Sequence, residues 1–244
     1  DGQAPYMRYS LAGGNDGVSE NAAAWSASYT FSDRALYEMV RRSQEAMMAE
    51  APPHDGHRRT ILDAQATHVG IGLAWEKGEF RLAQEFVRRY VDWSRALPRT
   101  ATIGDSVTAS GKPLRGTRIE AISVHHEAHP ESLSPNVANL ISSYRLPDKR
   151  RDYLPRLKTR YERREDGTLR IVSQQYKDGR RGDFYLADDG SFSFNVPFND
   201  GPGVYTVVVW VKKDGVADPI AASNVSIRVD RETAAGAEYT AGTR

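Results

Sequence analysis

Six histidines and no cysteine set the chemical repertoire of this 244-residue chain. Without thiols there are no disulfides and no thiolate metal sites, so imidazoles and carboxylates carry any acid–base or metal chemistry. Three histidines fall in His125-His126-Glu127-Ala128-His129. That string is one residue short of His-Glu-x-x-His, in which two imidazoles share a helix face around zinc. On a strand, His125, Glu127 and His129 share one face and His126 takes the other. We read the cluster as a solvent-facing strand end. The other three, His54, His57 and His68, lie in the stretch 54–84. A glutamate beside such an imidazole is a general base with its orienting partner. Ser19, next to Glu20, is the one nearby hydroxyl, and no nucleophile elbow surrounds it. Arg181-Gly182-Asp183 is an integrin-type tripeptide, read as turn chemistry beside Asp178-Gly179. Asn224-Val225-Ser226 is a glycosylation sequon, meaningful only in a glycosylating host. From 145 to 164 basic residues outnumber acidic ones, with Tyr144, Tyr153 and Tyr161 interleaved. Such a mix suits acidic glycans or nucleic acid. The net charge of +1 favours a solvated face instead, and no nucleic acid partner is expected.

The elements that must position these groups follow from spacing. Within 54–84, Gly56 ends a Pro52-Pro53 loop and 58–62 makes a short helical turn. The apolar runs 67–75 and 80–87 are separated by Glu76-Lys77-Gly78-Glu79, a hairpin signal. Val69, Ile71 and Leu73 share one strand face and Gly70 and Gly72 the other, which implies close packing against the glycines. Phe80, Leu82, Gln84 and Phe86 share a face of the second strand. Upstream, 32–50 reads as a helix: Ser32 is a good N-cap, Asp33 sits in the first turn and Pro52-Pro53 stops the run. Its stripe of Leu36, Met39, Val40, Met47 and Met48 is read as core. Residues 1–30 are loop-rich, with Pro5-Tyr6-Met7-Arg8-Tyr9 expected as a short extended piece.

Past Leu97-Pro98-Arg99 the pattern turns to strands. Asp-Gly turns at 166, 178, 189 and 214 separate short alternating runs, and the clearest strands are 118–126, 169–176, 191–196, 205–212 and 222–229. This is the pattern of an antiparallel sandwich. The run from Gly203 to Trp210 resembles a late strand of immunoglobulin-like domains, in which a tyrosine forms a corner. Residues 131–165, rich in proline and basic groups, are read as an insertion. The tail 231–244 is expected to be extended unless a partner binds it. The overall expectation is α+β, with one domain over 1–97 and a β-sandwich over 103–230. No apolar run approaches a membrane span.

Two strings carry a family resemblance. Gly56-His57-Arg58-Arg59-Thr60-Ile61-Leu62, followed by Thr67-His68-Val69-Gly70-Ile71-Gly72, resembles the later half of a CAP domain (cysteine-rich secretory, antigen 5, pathogenesis-related 1) of the bacterial, cysteine-free type. Ser19-Glu20-Asn21-Ala22-Ala23 is similar to that family's Gly-Glu-Asn-(Ile/Val)-Ala signature, with Ser for Gly. The resemblance covers roughly 1–95 and implies an α-β-α sandwich whose central cavity is lined by two histidines and two glutamates. It assigns Glu20, Glu50 and His57 to that cavity, where Glu20 and His57 are expected to hydrogen-bond each other and brace the loops. The family's first helix, which bears the other histidine, has no counterpart, and is expected to be removed or supplied by another segment or chain. The opening at Asp1 is read as a mature or trimmed end. In some relatives the histidines hold a divalent metal such as zinc, so His57 is the candidate ligand.

These readings imply a secreted, non-catalytic protein that binds an extracellular protein or glycan partner at the cell surface or in the matrix. One alternative is a structural subunit of an extracellular assembly, working through self-association. The other is a metal-dependent hydrolase of peptides or wall polymers.

Overall fold

The computed structural model of the protein describes residues 2–138, 140–141, 143–172 and 174–232. The fold is α+β and dominated by strands. Its first part comprises α1 (Pro5–Leu11), β1 (Gly17–Ser26), α2 (Asp33–Met48), α3 (Gly56–Ile61), β2 (His68–Glu76) and β3 (Glu79–Arg88). The three strands form an antiparallel sheet in the order β1-β3-β2. Register aligns Trp25, Phe80 and Trp75 across the sheet, then Ala23, Leu82 and Leu73. Helix α2 lies over that face. Ser32 caps it by accepting the Ala35 N–H at 3.3 Å. Its apolar stripe, Leu36, Met39 and Val40, packs on Phe31, Phe80 and Leu82, and Ser43 accepts the Trp25 indole N–H at 2.9 Å. The opposite face is paved with Ala22, Ala24, Gly72, Ala74 and Ala83, with a cavity above it. Ala138, at the end of the later helix Pro135–Ala138, borders that face.

The segment 5–9, expected to be extended, is helical. Pro5 stands at the first helical position after an extended Ala4, where its fixed φ and missing N–H cost nothing. The helix is then held by burial of Tyr6, Met7 and Ser10.

The second part contains β4 (Val91–Arg95), β5 (Thr100–Thr102), β6 (Ser106–Pro113), β7 (Thr117–Glu127), α4 (Pro135–Ala138), β8 (Arg150–Tyr153), β9 (Arg160–Arg163), β10 (Leu169–Val172), β11 (Tyr185–Leu186), β12 (Phe192–Pro197), β13 (Gly203–Lys213) and β14 (Ile220–Asp230). Two sheets, β11-β12-β6-β4 and β5-β14-β13-β7-β8, enclose one core; β9 and β10 form a separate ribbon. The core holds Ile122, Val124, Phe194, Val196, Phe198, Tyr205, Val207, Val209 and Ile227, all essentially inaccessible. The Tyr205 hydroxyl accepts the Asp200 N–H at 2.7 Å and donates to the Gly201 carbonyl at 3.0 Å, tying the β12–β13 connection to the strand.

Two expectations change here. Part of the region read as an insertion joins the sheet, since β8 pairs with β7 (Ile122↔Tyr153). The strand expected over 169–176 ends at Val172. The tail expected to be extended lies, from 233 on, outside the described residues.

The two parts are joined through α1. It packs on the outer face of the five-stranded sheet with Val18 and Val204. The Ser10 hydroxyl accepts the Ser226 N–H at 2.9 Å and donates to the Tyr6 carbonyl at 2.8 Å. The Asn224 carboxamide pairs with both backbone groups of Val18 at 3.2 Å, as another strand would. Arg99 reaches the carbonyls of Ser10 and Gly14.

Candidate functional site

The short α3 carries His57 against the outer edge of β1. Asn21, facing α2 from β1, donates to the His57 carbonyl at 3.1 Å. Glu50, just past α2, clamps the start of α3. One oxygen lies 2.5 Å from His57 Nδ1, and the other accepts the backbone N–H groups of His57 (2.9 Å) and Arg58 (3.3 Å). These bonds hold the Glu50 carboxyl below its ordinary range, the imidazole contact contributing most. With Nδ1 engaged, Nε2 is the ring nitrogen left for a ligand.

Glu20 alternates to the other face of β1. Both of its oxygens lie within 2.8 Å of Arg8 Nη2. Register sets Glu85 of β3 directly opposite Glu20. Burial, and then the neighbouring Glu20, push the Glu85 carboxyl up to about 8, while Arg8 opposes the shift. Two carboxylates and one guanidinium therefore share the site.

Glu20 and His57 line one cavity of about 600 Å³, together with Tyr6, Ser19, Thr60, Ser143 and Tyr144. Glu20, Ala22 and Ile141 also border the cavity over the alanine-paved face. The structure bonds His57 to Glu50 rather than to Glu20, which bonds to Arg8; of the three, Glu20 and His57 line the cavity and Glu50 does not. Sequence reasoning missed Arg8, Tyr6 and Glu85. Arg8 and Tyr6 sit on the segment expected to be extended, and Glu85 becomes Glu20's neighbour only through strand register.

As a metal site the donor set does not fit. Glu20 is taken by Arg8 and Glu50 by His57, which leaves one imidazole nitrogen where zinc needs three or four ligands. Among the described residues no group of three or more His, Asp or Glu side chains is placed to hold a metal ion.

The remaining motifs are absorbed by the fold. His125 is 4% exposed rather than solvent-facing. Its Nδ1 bonds the Pro147 carbonyl at 2.7 Å. His126 lies against Tyr205, with ring centroids 4.5 Å apart, and His129 reaches Asp230 at 3.1 Å. The three rings thus serve three separate contacts. Asp183 of the Arg-Gly-Asp tripeptide accepts the Leu154 N–H at 2.8 Å, and a Cβ on Gly182 would meet Pro155 O at 2.2 Å, so this turn is built in. Asn224 of the sequon is buried and spent on Val18.

Compared with models of known protein families and with curated proteins, the sequence matches none. Among the described residues no helix is long and apolar enough to cross a membrane.

Proposed function

We propose that this is a secreted, non-catalytic binding protein, a CAP-like unit over 1–97 joined to an immunoglobulin-like β domain over 103–230, acting on a glycan at the cell surface or in the matrix. The observation that carries the reading is the pairing state of the cavity's acid–base groups. Each motif carboxylate is spent on a cation or a backbone: Glu20 on Arg8, Glu50 on His57 and Arg58. Glu50 orients the imidazole, but among the described residues no nucleophile is hydrogen-bonded to His57 Nε2, so the pair supports a braced pocket rather than a catalytic one. What the cavity offers a ligand is Nε2 of His57 and the hydroxyls of Ser19, Ser143 and Tyr144; those of Tyr6 and Thr60 already donate to Glu127 and to the Gly56 carbonyl. That is the chemistry that recognises a polyhydroxylated ligand, with the exposed ring of Tyr144 for an apolar face. The upstream hydrogen bonds of Tyr205 support the immunoglobulin-like part, because they reproduce the tyrosine corner.

Screening the full chain on an array of cell-surface and matrix glycans tests the proposal. Wild type binds a glycan class without consuming it, and His57→Ala and Tyr144→Ala each weaken binding about tenfold or more. Binding indifferent to both substitutions, or His57-dependent cleavage of the glycan, overturns the reading.

A further inference from the structure

The sheet of the first part has two edges, and they are treated differently. The β1 edge is covered by α3, α1 and β14. The β2 edge pairs with β3 on one side and, among the described residues, with nothing on the other. Every residue of β2 is exposed, including Val69 (56%), Ile71 (64%), Leu73 (46%) and Trp75 (56%). These four share the face on which α2 sits, but α2 covers only β1 and β3. Natural edges are guarded by proline, lysine, bulges or inward charges. Between Val69 and Trp75 there is no proline and no charge, and the register with β3 runs without a shift.

The free edge is also aligned for pairing. The two-residue connection makes Glu76↔Glu79 a hydrogen-bonded pair, so the even-numbered residues of β2 address β3. The N–H and C=O groups of Val69, Ile71, Leu73 and Trp75 therefore point to the open side. Reversed upon itself about Gly72, the strand His-Val-Gly-Ile-Gly-Leu-Ala-Trp-Glu matches position by position: His68 meets Glu76, Val69 meets Trp75, Gly70 meets Ala74 and Ile71 meets Leu73. An imidazole faces a carboxylate at both ends, apolar side chains pair on one face and small residues on the other. The odd-numbered positions, whose polar groups are free, are those that become hydrogen-bonded pairs.

We propose that β2 is the interface of a symmetric homodimer, two copies pairing antiparallel about Gly72 so that the sheet runs continuously through six strands. The twofold consumes the open edge of this sheet on each copy, so pairing through β2 closes at two. The inference is independent of the ligand cavity, which lies beyond the opposite edge.

Cysteine placement tests it, because the native chain has none. A Cβ at Gly72 meets nothing within 4 Å, and one at Gly70 only Glu85 Cβ at 4.0 Å. At the axis, Gly72 faces its own copy as a non-hydrogen-bonded pair with Cα atoms about 4.5 Å apart, within disulfide range. Gly70 lies about 14 Å from its copy, four residues along at about 3.4 Å per residue and one strand spacing across. Under mild oxidation the full-chain Gly72→Cys variant should cross-link at least about tenfold faster than Gly70→Cys, and the wild type should sediment as a dimer. Ile71→Pro removes one outward N–H from each copy while sparing the ladder to β3, and should raise the dimer Kd about tenfold or more. A wild-type monomer, or equal cross-linking of the two cysteine variants, overturns the proposal. So does a dimer unaffected by a folded Ile71→Pro; should that variant not fold, the cysteine pair decides.

Discussion

Strands β2 and β13 are both apolar, and the protein uses them in opposite ways. From Gly203 to Val209 every residue of β13 is buried, on both faces. On β2 none is. The difference is in what lies above and below. β13 is central in its sheet, with the second sheet's core on one face and α1, Val18 and the Asn224 side chain on the other. β2 is terminal, and its one covering helix stops over the neighbouring strands. Apolar patterning states which strands can be buried; the number of layers around them states which are.

Five substitutions sharpen or break that contrast. The largest effect belongs to the sandwich: Phe198→Ala, at a fully buried ring packed edge-on to Tyr205, costs about 4 kcal/mol in denaturant unfolding. Phe80→Ala, equally buried under α2, costs about 3 kcal/mol. Its loss of hydrogen-exchange protection should concentrate in α2 and the three-stranded sheet; equal loss throughout the sandwich would mean that the two parts unfold as one. Tyr205→Phe keeps the ring and deletes two hydrogen bonds to the backbone, for about 1–2 kcal/mol. A smaller effect comes from Glu85. Its folded-state value of about 8 stands above the ordinary 4.5, so the folded protein keeps a proton that the unfolded chain gives up. That contribution is fully present below about pH 4.5 and is lost as pH rises to about 8. In Glu85→Gln the fall of Tm across that window should be shallower than in wild type; an unchanged slope would remove Glu85 from the account. Smallest of all, Leu73→Ser on β2 should shift stability by less than about 0.5 kcal/mol, measured at high dilution where self-association does not contribute. A large loss there would show that β2 is covered after all.

The candidate site divides along a similar line. Glu50 and His57 are seven residues apart, and a helix end followed by a tight turn brings them together, where the sequence reading pairs His57 with Glu20. Glu20 came to notice through a five-residue string. Its partners did not: Arg8 arrives on a helix whose proline start reads locally as extended chain, and Glu85 arrives by the register of β1 on β3. The histidine run 125–129 misled for a related reason. Its alternation suggested a solvent-facing strand end, but α1 and the 145–149 segment fold over that end and bury His125.

By itself the sequence determined the local elements: the capped helix α2, the hairpin β2–β3, and the strands and Asp-Gly turns of the second part. Capping, turn chemistry and side-chain alternation act between residues close in the chain, and their signals survive in the string. Tertiary structure alone decided which apolar faces found cover, which carboxylates met a cation or each other, and which edge of the sheet was left open. Those outcomes depend on contacts between segments tens to hundreds of residues apart, as with Ser10 and Ser226 or Val18 and Asn224, and no local pattern records them.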